Sequence, residues 1–497
     1  MVNWEGMYEG KDISIVLDGK NLNGFILKDF VLEESINEHQ KLNLQIETDI
    51  SQKKNLENTV SKEDIEVKIE LREMKGKRKI FQGIVDYFEV LDYGSEGCRI
   101  LIEAFSKSIL LDRKYEKKYR VFQDISWTFA NIIEEINKDY VDKKIEIKYS
   151  DIAQKPVNSL IIQYDETDWE FLARISSHLK TGMFVTEDGV ITFGIIENSE
   201  IKQENRYFSD YSIVREHKNL YYKINSGKAI SSGDTISINN EKDNSDKGSN
   251  LTVLKSKIFL KNYILKSNFL ATNMESYHIY RKYNEKIKGS AIEVKVEKVF
   301  EENNIAKMEV TFFEGLNKIV HEKGKDSENK NRAYNDYGIK RIPLGYQTFY
   351  SQTNTGFFCT PEVNDNVEVY FPFEDENFAR VSWAINNDGN GRFSNYEKRN
   401  FHINGKDFNF NIDKNSVTVN IEESYTRNSK TSSETAESFV NKGIKNLVVV
   451  SDDYIGIESI GEMSVYGKSI DIVGKEKEIR METPDEIRIK GKKVHTN

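Results

Sequence analysis

Tyr350-Ser-Gln-Thr-Asn-Thr-Gly-Phe-Phe-Cys-Thr-Pro-Glu-Val-Asn-Asp-Asn-Val-Glu-Val-Tyr-Phe-Pro-Phe-Glu-Asp-Glu-Asn-Phe-Ala-Arg-Val-Ser-Trp383 carries the clearest β signature of this 497-residue chain. It holds two of the five prolines, and each marks the edge of a strand pattern. After Pro361-Glu-Val-Asn-Asp-Asn, the apolar Val367, Val369 and Phe371 alternate with Glu368 and Tyr370. Pro372 cannot donate to a ladder and stops that strand. The acidic turn Glu374-Asp-Glu-Asn follows, and Ala379, Val381 and Trp383 alternate again. Two short strands with one buried face each, joined by a polar hairpin, predict a small closed β-barrel with no open sheet edge. The alternation from Ile292 to Phe313 supplies the strands that open it.

Residues 1 to about 105 carry the same period. Ile13, Ile15 and Leu17 precede the hairpin signal Asp18-Gly19, and Phe25, Leu27 and Phe30 follow it. Leu42, Leu44 and Ile46 alternate, as do Ile65, Val67, Ile69 and Leu71, which suits a barrel or sandwich. Helical spacing then takes over. Ile125, Phe129, Ile132, Ile133 and Ile136 fall on one face, with Asp124 or Ser126 as the expected cap. Thr167-Asp-Trp-Glu170 has capping-box spacing and starts a second helix with Trp169, Leu172, Ala173 and Leu179 on its apolar face. Gly182 stands where a left-handed C-terminal stop is expected, and Asp188-Gly189 signals a hairpin. Strand patterning returns from Tyr221 to about Tyr283, interrupted by the polar, loop-like Asn239–Asn250.

Two stretches resemble a known family. Pro361-Glu-Val-Asn-Asp-Asn-Val-Glu-Val-Tyr-Phe, the acidic turn, and Ala379-Arg-Val-Ser-Trp-Ala-Ile-Asn-Asn387 resemble the OB-fold barrel of the VgrG and phage hub-and-spike proteins of contractile injection machines. Gln163-Tyr-Asp-Glu-Thr-Asp-Trp-Glu-Phe-Leu resembles the hub of that family, in which a strand ends in glutamine and an acidic-Thr-Asp cap starts a helix. Here Ser177-His-Leu-Lys-Thr181 replaces the acidic residues that usually precede the glycine. The resemblance implies a mainly β chain with a small α+β insertion. It would have a hub over 1–283 (two β-barrels, insertion near 106–200), an OB-fold barrel over 285–390 and a C-terminal trimeric β-prism over 400–497. The implied partners are tail tube and baseplate proteins, a PAAR-like tip cap or an effector, and the target-cell envelope.

Beyond the joint Asn387-Asp-Gly-Asn-Gly391, apolar doublets recur: Ile455/Ile457, Met463/Val465, Ile470/Ile472, Ile479/Met481 and Ile487/Ile489. A unit of one strand and one turn cannot bury its own apolar face. Three identical strips around a common axis can, so the pattern itself predicts a homotrimer packed through these ten residues.

Composition narrows the function. The net charge of −10 is spread along the chain without a basic stripe, which disfavours a nucleic-acid partner. Aromatics in the expected OB barrel sit among Glu362, Asp365, Glu368 and Glu374, so packing suits them better than stacking on bases. Cys98 and Cys359 read as two free buried thiols, and no zinc spacing occurs. Met1-Val-Asn-Trp-Glu-Gly lacks a signal peptide, so assembly in the cytoplasm and delivery in a particle are expected.

Chemistry finds little footing. Gly461-Glu-Met-Ser-Val-Tyr-Gly-Lys-Ser469 has one residue too many for a phosphate loop and lies between strands, so it reads as a turn. His39, His178, His217, His278, His321, His402 and His495 show no paired ligand spacing. His178 reads as a satisfied core residue, and His495 could bind a tip metal only as one of three by symmetry. No cofactor is expected. Between Ile385 and Phe401 there is no room for a lysozyme domain, so the expectation is a non-enzymatic hub and spike of a phage tail, tailocin or type VI-like system. The alternatives are a trimeric fibre-like adhesin for a surface glycan and a peptidoglycan hydrolase.

Overall fold

The computed structural model describes residues 8–49, 58, 64–73, 76–92, 97–113, 116–195, 207–208, 210–216, 218–238, 249–312, 342–347, 349–350, 356–357, 359–385, 399–403, 408–421, 424–438, 440 and 447–495. The chain divides into two compact units, residues 1–396 and 397–497.

The first unit begins with an antiparallel stretch of its 13-stranded sheet. Its strands are β1 (Ile13–Leu17), β2 (Lys20–Asn21), β3 (Phe25–Ser35), β4 (Lys41–Thr48), β5 (Glu66–Glu73), β6 (Gly76–Asp92) and β7 (Cys98–Ser106). The β1–β2 hairpin turns on Asp18 and Gly19, both at positive φ (47° and 76°), as a primed turn demands. Inward positions of β1, β4, β5 and β7 are buried and outward ones are not, so the period of two seen in the sequence is the period of the core.

An insertion follows, with strands β8 (Lys118–Phe122), β9 (Ile147–Tyr149), β10 (Ile161–Glu166), β11 (Met183–Val185) and β12 (Ile191–Phe193), and helices α1 (Phe129–Lys138) and α2 (Asp168–His178). Helix α1 starts later than its apolar spacing suggests. Its cap is Thr128, which exchanges hydrogen bonds with Asn131, while Asp124 accepts from Ser126 in a separate turn and Ile125 lies outside the helix. Helix α2 is capped by Thr167 and Glu170 as its spacing predicts. Its stop differs from expectation: Lys180 takes the left-handed conformation (φ 56°), and Gly182 does not. Gly182 is needed for close approach instead, since a Cβ there would lie 2.4 Å from Ile36 Cδ1.

Strands β13 (Tyr207–Phe208), β14 (Tyr211–Glu216), β15 (Asn219–Ser226), β16 (Thr235–Ile238), β17 (Ser249–Lys261) and β18 (Ile264–Thr272) continue the same sheet. The β17–β18 hairpin serves two cores. Ile258 and Leu265 pack with the core under β1–β7, whereas Leu251, Val253, Phe269 and Ala271 pack with Ile224, Ile236 and Ile238 in another. A bulge between Val253 and Lys255 changes the facing where the strand passes from one core to the other. A bridge from Glu9 to Ile264 links the start of β18 to the segment before β1.

The last barrel of this unit comprises β19 (Ala291–Glu302), β20 (Ile305–Phe312), β21 (Gly345–Tyr346), β24 (Asn366–Tyr370) and β25 (Arg380–Ala384), with β22 (Phe349–Tyr350) and β23 (Gly356–Phe357) as a short separate pair. Paired hydrogen bonds between Met308 and Leu344 join β20 to the strand beside β25, which closes the ring. Val367, Val369, Phe371 and Val381 are fully buried, as the alternation predicts. Trp383 is not: a bulge between Val367 and Val369 lets Ser382 face in and leaves Trp383 46% exposed. Cys98 is buried and Cys359 is exposed, so one of the two thiols expected inside lies outside.

In the second unit, β26 (Arg399–Ile403), β27 (Phe408–Ile412) and β28 (Val417–Ile421) form an antiparallel meander. The described residues from 424 to 495 contain no helix and no strand. No helix among the described residues is long and apolar enough to cross a membrane.

Candidate functional site

Strand β10 stands between two cores because its side chains alternate. Ile161 packs into the insertion, whereas Leu160 and Ile162 belong to the core of the β19–β25 barrel. Helix α2 behind it is buried on almost every side, which leaves no solvent for its one arginine. Arg174 donates from Nε and Nη2 to the two oxygens of Glu166 (2.7 and 2.9 Å), from Nη2 to the Ile162 carbonyl (2.8 Å), and from Nη1 to Glu376 of the barrel (2.9 Å). Burial disfavours the Arg174 cation, but Glu376 and Glu166 outweigh it and raise its pKa. Burial raises the Glu166 carboxyl, with Arg174 opposing and Glu376 adding to the rise. Removing one member of such a set leaves a buried uncompensated charge, so the trio fixes the barrel to the insertion.

A second strap runs alongside. The segment leading into β19 crosses α2, where the Lys282 amide donates to Ser177 Oγ (2.8 Å) and His178 Nε2 bonds the Lys282 carbonyl (3.0 Å). Asn284 Nδ2 donates to the Tyr164 carbonyl (2.8 Å), and Ile287 is fully buried in the barrel core. Burial, reinforced by Arg281, lowers the His178 pKa to about 4, so the ring is neutral near pH 7. This is the satisfied histidine that the sequence suggests.

Gln163 and Asp168, quoted above as a motif, prove to be partners. Gln163 Nε2 donates to Asp168 Oδ1 (2.9 Å), and Arg120 (2.6 Å), Lys118 (2.6 Å) and Tyr140 (2.6 Å) donate to the same carboxylate. Burial works against the Asp168 anion, but Arg120 and Lys118 hold its pKa below the ordinary value. The node ties the turn after α1 and the start of α2 to β8 and β10.

One cluster has the layout of a hydrolase. His39 Nδ1 lies 2.8 Å from Ser108 Oγ, and His39 Nε2 lies 3.3 Å from Asp112 Oδ2. Ser108 is fully buried, its hydroxyl is shared with Ser106 (2.7 Å), and Asp112 also accepts from the cap hydroxyl of Thr167 (2.5 Å). A nucleophile needs space for a carbonyl beside it, and this one has none. The group instead fastens the β3–β4 turn to the start of α2.

None of the ten residues expected to pack a trimer belongs to a core of the described residues. Ile455, Ile457, Met463, Val465, Ile470, Ile472, Ile479, Met481, Ile487 and Ile489 are each at least 47% exposed. Between them, Arg480 pairs with Glu478 (2.8 Å) and Arg488 with Glu486 (2.9 Å), so charge alternates with apolar groups as in a strand. His495 is exposed, and the described residues contain no group of three His, Cys, Asp or Glu side chains placed to hold a metal. His217 and His321 lie outside the described residues.

Taken together, these features define a class: a β-rich hub with a helical insertion clamped to a closed five-stranded barrel, followed by a stretch whose described residues from 424 to 495 form no helix or strand. Residues 33–193 match the family model of the phage tail baseplate hub. Among solved structures, the half-lidded Francisella PdpA–VgrG complex is 9% identical, with a TM-score of 0.53 over 83% of this chain and 85% of that one. The lidless PdpA–VgrG complex gives 9% identity and a TM-score of 0.51 over 82% and 94%. The E. coli c3393 protein, described as a type VI secretion component structurally similar to T4 tail proteins gp27 and gp5, is 11% identical, with a TM-score of 0.45 over 75% and 99%. No curated protein sequence matches the chain. The family match covers residues 33–193, about a third of the chain, and the two PdpA–VgrG structures share its fold over most of its length.

Sequence reading finds the helix cap and the barrel strands but misses the Arg174–Glu166–Glu376 trio. A signal was present: an arginine inside Phe171-Leu-Ala-Arg-Ile175, a run otherwise apolar, needs a buried acid partner.

Proposed function

We propose that this chain is a non-enzymatic hub and spike at the tip of a contractile particle, acting as a homotrimer. In this reading residues 1–283 form the hub that meets tail tube and baseplate, 285–390 an OB-fold collar, and 400–497 a trimeric β-prism driven into the target envelope. A cap protein or effector would ride on the prism. The supporting observation is the tail: evenly spaced apolar doublets, all exposed, in a stretch with no described strand pairing of its own. Backbone and side chains alike need partners there, and two further copies supply both. The trio at Arg174 serves the same role, because thrust from the hub reaches the collar through a buried, rigid contact.

Light scattering on the purified chain tests this reading. The expected mass is three times the 57.7 kDa of one chain at sub-micromolar concentration. Ile470→Asp with Ile472→Asp is expected to abolish the trimer. A stable monomer with an ordered tail refutes the trimer, and clearing of peptidoglycan by the pure protein refutes the non-enzyme reading.

A further inference from the structure

Charge is unevenly distributed along the tail. Residues 451–487 carry ten acidic and four basic side chains, whereas residues 488–495 carry Arg488, Lys490, Lys492 and Lys493 and no acid. Arg488, Lys490 and Lys492 are two residues apart, so in an extended chain they project from one face at a spacing of about 6.6 Å. Ile487 and Ile489 take the opposite face, the one assigned above to packing between chains. All of these side chains are exposed. Glu486 pairs with Arg488 at 2.9 Å, and the three lysines stand in solvent.

We propose that this cationic face binds the phosphate headgroups of an anionic lipid membrane. The proposal rests on the trimeric reading, in which three strips would set the cations in a ring around one axis. Three features favour a lipid surface. No aromatic side chain lies between Arg488 and His495 to stack on a base, which disfavours nucleic acid. The one apolar side chain on this face is Val494, a residue type that rarely anchors a protein partner. The acidic stretch behind it is repelled by an anionic surface within a Debye length of about 8 Å, which confines contact to this segment.

The test uses the full chain, sized by light scattering and then sedimented with vesicles of phosphatidylcholine alone or with a one-third share of phosphatidylglycerol. Binding to the anionic vesicles at low salt, lost at high salt, is expected. A Lys490→Gln/Lys492→Gln variant should keep the parent mass and bind at least about tenfold more weakly. Equal binding by parent and variant overturns the proposal. So does equal binding to neutral vesicles, or a trimeric parent that ignores anionic vesicles yet shifts duplex DNA. A monomeric parent counts against the proposed function instead, and lysine-dependent vesicle binding by that monomer would still support this surface.

Discussion

Val367 and Val369 are fully buried, whereas Ile487 and Ile489, set in the same apolar–polar alternation, are 51% and 71% exposed. The code is identical; what differs is the supply of neighbours. Strands β24 and β25 find hydrogen-bond partners in β19 and β21, and the ring closes. The doublets after residue 450 have no such ladder among the described residues, so their apolar faces remain in water. Alternation therefore specifies a strand but not where its partner comes from: β24 and β25 find theirs in the same chain, and the described doublets after residue 450 have none there.

Matched substitutions should break the comparison most sharply. Val369→Asp buries a carboxylate in a closed core and is expected to cost more than about 4 kcal/mol, read as loss of cooperative unfolding of the barrel. Ile487→Asp places the same charge in the tail and should leave that transition unchanged while removing the trimer. If both variants lose the barrel transition, the two regions are not independent in the way their burial suggests.

The clamp at Arg174 comes next. Arg174→Ala strands Glu166 and Glu376 together in the interior, with an expected loss of about 3–5 kcal/mol in denaturant unfolding. Arg174→Met combined with Glu166→Gln and Glu376→Gln should recover much of it. A single substitution without effect would show that water reaches the trio.

A smaller effect should appear with pH. His178 has a folded pKa of about 4, below the ordinary value of 6.5 for the unfolded chain. The unfolded state therefore binds more protons between these limits. The stabilisation is complete above about pH 6.5 and is lost as pH falls toward 4. Partial solvent access trims the loss to about 1–2 kcal/mol. His178→Gln should flatten the difference between stability at pH 7 and pH 5; an unchanged slope would remove His178 from the account. Smallest of all, Thr128→Ala deletes the α1 cap and should cost about 1 kcal/mol in thermal unfolding.

Much of the fold is legible in the sequence where the cause is local. The Asp18-Gly19 turn, the Thr167–Glu170 box and the inward valines of the barrel each depend on residues a few positions apart. The failures share the opposite property. Trp383 faces out because a bulge forms against β24, Gly182 is required by Ile36 far away in sequence, and Arg174 is satisfied by an acid about two hundred residues later. Helix α1 is a partial exception, since its apolar spacing is right and the competing turn at Asp124 displaces its start. The doublets after residue 450 are legible as a pattern because their spacing is local; their packing role belongs to the proposal above.

The β17–β18 hairpin carries one further consequence. Because the same two strands line both hub cores, the cores inherit a common register and neither can be lengthened, shortened or exchanged alone. Deleting a residue between Lys255 and Lys261 would turn Ile258 out of one core while the stretch beyond the bulge kept its place in the other. Grafting either core onto another scaffold would therefore mean transplanting both, with the bulge as the splice that lets a single rib belong to each.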